Sequence, residues 1–95
     1  MTRPALTRAD VTLRAEIDPG GEHPAWWHIE IAGEHYLVVG RGNPTWPDDQ
    51  PHTRVYPCGP AGDEVDWYGE HAEVDGWDRD AAITELLHVL NTVCR

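Results

Sequence analysis

Apolar and polar residues alternate through the first regular stretch of the chain. Val11, Leu13, Ala15 and Ile17 fall on one side and Thr12, Arg14, Glu16 and Asp18 on the other, a period of two that predicts a strand with one buried and one wet face. Asp18, Pro19, Gly20 and Gly21 then stop it,. Alternation resumes over 26–31, where Trp27, Ile29 and Ile31 oppose Trp26, His28 and Glu30. A tight turn is expected at Ala32, Gly33 and Glu34, because glycine supplies the positive φ that short hairpin connections need. A third strand returns over 35–39. Whether the turn pair is Ala32 and Gly33 or Gly33 and Glu34, parity places Tyr36 and Val38 beside Ile29 and Ile31. The opposite face then carries Trp26, His28, Glu30, His35, Leu37 and Val39, an unusually mixed set for a wet surface.

Residues 40–52 hold three prolines and two glycines without periodicity and read as a long loop, with Trp46 at its tip; loops of this length in small domains commonly bind something or lack order. A short strand is expected over 53–58, placed at an edge or strand end by Pro57. The stretch 64–74 alternates consistently only if Gly69 is a bulge, which turns Val65, Trp67, Ala72 and Val74 inward, or if Gly69 and Glu70 turn a hairpin between two shorter strands. The last element is the clearest. Asp78 is a good N-cap, Asp80 adds charge that suits a first helical turn, and Ile83, Leu86, Leu87, Leu90 and Val93 recur at three and four, predicting an amphipathic helix over 78–94. Its oily stripe must lie on the sheet. Residues 1–10 read as an arm whose order depends on docking. The expectation is therefore a single α+β domain spanning 1–95: a small antiparallel sheet of four to six strands with one C-terminal helix packed on one face.

Composition refines this picture. Leu, Ile and Val total 18 residues and Phe is absent, but five tryptophans and three tyrosines supply core volume that few aliphatics could. The formal net charge is −10, which argues against direct nucleic-acid binding and leaves solubility or a basic protein partner as its consequences. Lys and Ser are absent, so a Schiff-base lysine, a P-loop lysine and a serine nucleophile are excluded. Cys58 and Cys94 stand alone without a CxxC partner and read as buried thiols. No apolar run reaches membrane-spanning length and the first residues lack the apolar core of a secretory signal, so a cytoplasmic, membrane-free protein is expected. The Arg-only basic set, with abundant Gly, Pro, Ala and Trp, suggests an actinobacterium or one of its phages as source.

Three groups of residues carry candidate function. Trp26, Leu37 and Trp46, with Asp48 and Asp49, form an apolar and acidic set suited to docking a protein partner, unless the arm or the loop folds over it; self-association into a homodimer would cover the same face. Residues 63–80 contain eight carboxylates against one arginine. Within that run Glu64, Asp66, Glu73 and Asp75 would attract a basic surface, mimic the phosphates of DNA to inhibit a nucleic-acid-binding protein, or guard a sheet edge. His28, Glu30 and His35 share a face, and imidazole with carboxylate suits zinc or another first-row metal, although a solvated cross-strand pair is the simpler role. No cofactor motif is present and no nucleophile, base and oxyanion donor are assembled by spacing. The expectation is a small acidic protein-binding or regulatory module, not an enzyme, with DNA mimicry and a metal-dependent enzyme or sensor as alternatives.

Overall fold

The computed structural model describes residues 5–21, 23–43 and 45–93. Five strands, β1 (Val11–Ile17), β2 (Trp26–Ile31), β3 (Glu34–Arg41), β4 (His52–Pro57) and β5 (Ala72–Asp75), precede one helix, α1 (Arg79–Val93). The strands pair antiparallel in chain order, β1-β2-β3-β4-β5, and α1 lies across β3, β4 and β5. The architecture is α+β. Among the described residues no helix is long and apolar enough to cross a membrane.

The helix begins where its capping chemistry places it. Asp78 Oδ1 accepts from the Ala81 N–H at 2.9 Å, satisfying one of the amides that the first turn leaves without a helical partner. Ala82, Ile83, Leu86 and Leu87 are buried against Ile29, Ile31, Tyr36, Val38, Val55 and Ala72, with Leu90 at the margin. The Val93 side chain, Cys94 and Arg95 lie outside the described residues. The hairpin turn uses Ala32 (φ +51) and Gly33 (φ +84), and its register sets Glu30 opposite His35 and Ile29 opposite Tyr36.

Two strand expectations are corrected. The register of β1 shifts between Leu13 and Ala15, so the extra residue, Arg14, forms a bulge. Val11 and Leu13 stay on the helix side, whereas Ala15 and Ile17 pair with His28 and Trp26 and turn to the other side. A bulge changes parity, and the polar residue at its centre keeps its charge in water as an ion pair with Glu30 at 3.4 Å,. Segment 64–74 is not a long strand and not a hairpin at Gly69. Only Ala72–Asp75 joins the sheet; Glu64 takes a left-handed backbone (φ +50), and the Gly69 N–H closes a turn on the Asp66 carbonyl. Ala72 faces the helix, but Val65 packs against the opposite side of the sheet.

The long loop is shorter than 40–52, because Gly40 and Arg41 extend β3 and His52 opens β4. Residues 1–4 of the arm lie outside the described residues. The rest docks: the Leu6 N–H donates to Asn91 Oδ1 at 2.8 Å, and Asn91 Nδ2 donates back to the Leu6 carbonyl at 2.9 Å.

Candidate functional site

The end of the sheet where β2 begins and β3 finishes forms a hollow of about 410 Å³ lined by Pro19, His23, Trp26, Val39, Gly40, Arg41, Gly42, Asn43, Trp46 and Asp49. Three pieces of chain build it. Trp26 and Val39 form an apolar floor. The connection from β1 to β2 supplies one wall, fixed by His23, whose Nε2 lies 2.8 Å from the Gly42 carbonyl and whose ring sits 5.5 Å from that of Trp77. Trp77 Nε1 in turn donates to the Arg41 carbonyl at 2.7 Å. Gly40 is needed here for close approach, since a Cβ at that position would lie 2.8 Å from Pro24 Cγ.

The other wall is the connection from β3 to β4, and it is ordered by its own polar groups. Asn43 Oδ1 accepts from both Thr45 N and Thr45 Oγ1, at 2.9 and 2.8 Å, the local arrangement that lets asparagine start a turn. Successive turns follow, with Trp46 N donating to the Asn43 carbonyl and Asp49 N to the Trp46 carbonyl, and the neck is closed by Asn43 N on the Asp49 carbonyl at 2.8 Å. The result is a pinned loop that keeps the Trp46 side chain 61% exposed. Arg41 makes no side-chain hydrogen bond or ion pair among the described residues, so the rim offers a free guanidinium as well as the Asp49 carboxylate.

The sheet face opposite α1 is not open. Leu37, Val39 and Tyr56 are buried there, joined by Ile17, Trp26, Cys58 and Val65. The cover is the connection between β4 and β5. It is tethered by Cys58 N to the His35 carbonyl and Asp66 N to the Pro57 carbonyl, and Trp67 meets Tyr56 and Trp26 edge-on at ring distances of 5.0 and 6.0 Å. Leu37, expected as a contact residue, is 1% exposed and is corrected to a core position, because this cover fills the face that a partner or a second copy was expected to fill. Trp26 is half-buried between the cover and the hollow, and its Nε1–H is buried without an acceptor among the described residues.

The remaining expected contact residues divide among three places. Asp48 and Asp49 belong to the Trp46 loop. Glu64 and Asp66 lie on the cover, where Asp66 Oδ1 accepts from the Tyr68 N–H at 3.1 Å. Glu73 and Asp75 lie on β5, opposite Arg54 and His52. Glu73 is tied to Arg54, which also meets Glu70 at 3.5 Å; the hydrogen bond from Arg54 holds the Glu73 carboxyl below the usual range and the guanidinium above its own.

His28 and His35 do come together. His28 Nε2 and His35 Nδ1 are 2.9 Å apart, and His28 is 4% exposed. The proposed third ligand, Glu30, faces Arg14 instead, and among the described residues no group of three or more His, Cys, Asp or Glu side chains is arranged to hold a metal ion. Burial, followed by the adjacent imidazole, pushes the His28 pKa down. Burial, followed by Asp63, pushes the Cys58 thiol up, which keeps it protonated and a poor nucleophile near neutrality.

Residues 58–71 were the least visible from sequence. Trp67 and Tyr68 are exposed on the cover, Tyr68 fully, and the Pro57, Gly59, Pro60 and Gly62 spacing was the available signal that this stretch is a folded loop. His23 and Arg41 carried no signal at all, since their roles depend on two connections meeting in space.

Comparison of the chain with models of protein families, with curated proteins and with solved structures returns no match.

Proposed function

We propose that this chain is a small acidic protein-binding module that takes a basic segment of a partner into the hollow between Trp26 and Trp46. The observation that carries the reading is the ordered loop with an exposed indole: a run of turns, closed by its own hydrogen bonds, holds Trp46 in water beside a concave apolar floor. An indole kept rigid and wet is the kind of group that anchors interfaces, because it offers a large contact area without much rotamer entropy to lose.

The charge pattern selects the partner. A net charge of −10 speeds encounter with a positive surface. Within the hollow, an arginine or lysine stem can lie along the indoles with its cation toward Asp49; a cation over a tryptophan face contributes about 0.5–2 kcal/mol, more as water is excluded. Arg41 shares the rim and repels a second cation there, so it favours a segment in which the basic residue is followed by a carboxylate. The free negative charge that phosphate mimicry requires is interrupted on β5, where Arg54 engages both Glu70 and Glu73. That pairing favours the peptide-docking reading over a DNA mimic.

Selection of random, histidine-free 12-residue peptides displayed on phage tests this directly. Enrichment of sequences with Arg or Lys followed by Asp or Glu is expected, with binding lost for Trp46→Ala and weakened by salt. Absence of enrichment, or peptides that bind Trp46→Ala as well as the parent, would overturn the assignment of the hollow.

A further inference from the structure

The imidazole pair, with His28 buried and His35 half-buried, has a use that docking does not explain. His28 and His35 meet through Nε2 and Nδ1 at 2.9 Å with ring centres 5.1 Å apart. Gly62 of the cover sits directly on the His28 ring, so close that a Cβ there would lie 3.1 Å from Nδ1 and 3.2 Å from Cγ. The cover is anchored through the same residue pair, since Cys58 N donates to the His35 carbonyl. Thus one side chain of the pair lies beneath the cover and the backbone of the other fastens its first residue.

A neutral pair shares one hydrogen between the facing nitrogens, and a pair with one added proton still does, as N–H⁺···N. With a second proton both facing nitrogens carry hydrogens and the contact becomes repulsive. The surrounding charges are mixed. Arg14 from β1 opposes protonation of His28, while Glu30 from β2 and Asp63 from the cover favour it; His35 from β3 is the fourth group facing it. Neither carboxylate is hydrogen-bonded to the pair.

We propose that the His28–His35 pair is a proton-operated latch: the second proton parts the two rings, lifts the cover from β2 and β3, and loosens the Trp26 side of the hollow's floor. Trp26 transmits the change because it packs against Trp67 of the cover and lines the hollow at the same time. The consequence for partner docking, release in acid, rests on the hollow being the docking site. The latch itself does not.

The test is a titration of the full chain by ¹H–¹⁵N NMR with the His28 and His35 ring signals followed alongside. On acidification below the ordinary histidine range, the Gly62 amide and the Trp67 indole N–H are expected to move together in a transition steeper than a one-proton curve, and amide exchange in the cover to quicken by about tenfold or more, while Val38 and Val55 in the sheet core stay fixed. In His35→Gln the amide turns its oxygen toward a protonated His28, so His28 titrates with the cover still closed. The parent titration alone decides the matter if that variant does not fold. Gly62 and Trp67 signals that hold still while both imidazoles gain protons would overturn the latch, as would Val38 and Val55 changing at the same midpoint. Peptide binding at pH 7.5 and pH 5 separates the two readings. Trp46-dependent binding that fades in acid in the parent but not in His35→Gln supports both. No Trp46-dependent binding at either pH removes the docking site and leaves the latch intact; binding indifferent to pH beside an opened cover removes only the coupling.

Discussion

The neck of the Trp46 loop makes the sharpest prediction. Gly42 has φ +86, and a Cβ there would overlap the Gln50 carbonyl and lie 3.0 Å from Pro51 Cα. Both obstacles are backbone, so no side-chain rotation relieves them. In Gly42→Ala the left-handed backbone costs roughly 1–2 kcal/mol, and the smaller entropy of the unfolded alanine chain returns about 0.4–1 kcal/mol of that. Opening the neck also breaks the Asn43 N to Asp49 carbonyl hydrogen bond, about 0.5–1.5 kcal/mol more, with residual strain added. We expect a net loss of about 2 kcal/mol, a fall in Tm of roughly 8–16 °C for a domain of this size. Gly20→Ala is the matched control: its φ is +81, but nothing lies within 4 Å of the added carbon, so it should lose only the backbone part, about 1 kcal/mol or less. Urea titrations of parent and both variants measure the difference. Equal losses in the two variants would refute the close-contact reasoning and the pinned neck with it.

Other outcomes follow from burial and charge. Leu86→Ala removes a fully buried side chain between α1 and the sheet and should destabilise the fold by about 2–5 kcal/mol, whereas Trp46→Ala should stay within about 0.5 kcal/mol of the parent in the same denaturation assay while losing peptide binding. Asn91→Ala frees both polar groups of Leu6 and should cost about 1–2 kcal/mol, read as lost exchange protection at the Leu6 amide. Acid should weaken the fold in two windows. His28 is depressed below its ordinary 6.5, so its contribution is complete above that value and is lost as pH falls through the folded pKa; Glu73, depressed below its ordinary 4.5 by Arg54, behaves the same way in a lower window. In pH-dependent unfolding, His28→Gln should flatten the upper slope and Glu73→Gln the lower one.

Much of the architecture was legible because periodicity reports burial. The stripe of Ile83, Leu86 and Leu87 fixed the helix and its buried side, and Gly33 fixed the hairpin whose register puts Glu30 against His35. Parity also placed Trp26, Leu37 and Val39 together on the second face. What periodicity could not report was a change of parity within a polar stretch, as at Arg14, because a bulge is visible only through the partner strand. The cover was hidden for a related reason: Val65, half-buried, and Trp67, exposed but edge-on to Tyr56 and Trp26, make their contacts as isolated residues of a loop, without a repeating neighbour to mark the face,. The hollow was half legible. Trp26 and Trp46 stand out by type, but their meeting depends on His23 bonding to Gly42 across 19 residues, which no local pattern encodes.

The bulge in β1 has a consequence for the chain's behaviour in company. β2 presents WWHIEI, aromatic and β-branched with a single carboxylate, the composition that recruits further strands edge to edge. β1 stands between it and solvent as a guard. Its own outer edge is irregular at Arg14 and bears charge there and at Glu16, features that make a strand a poor template. The outermost strand therefore contributes little to the core, with most of its residues exposed, and earns its place by keeping the sheet from growing.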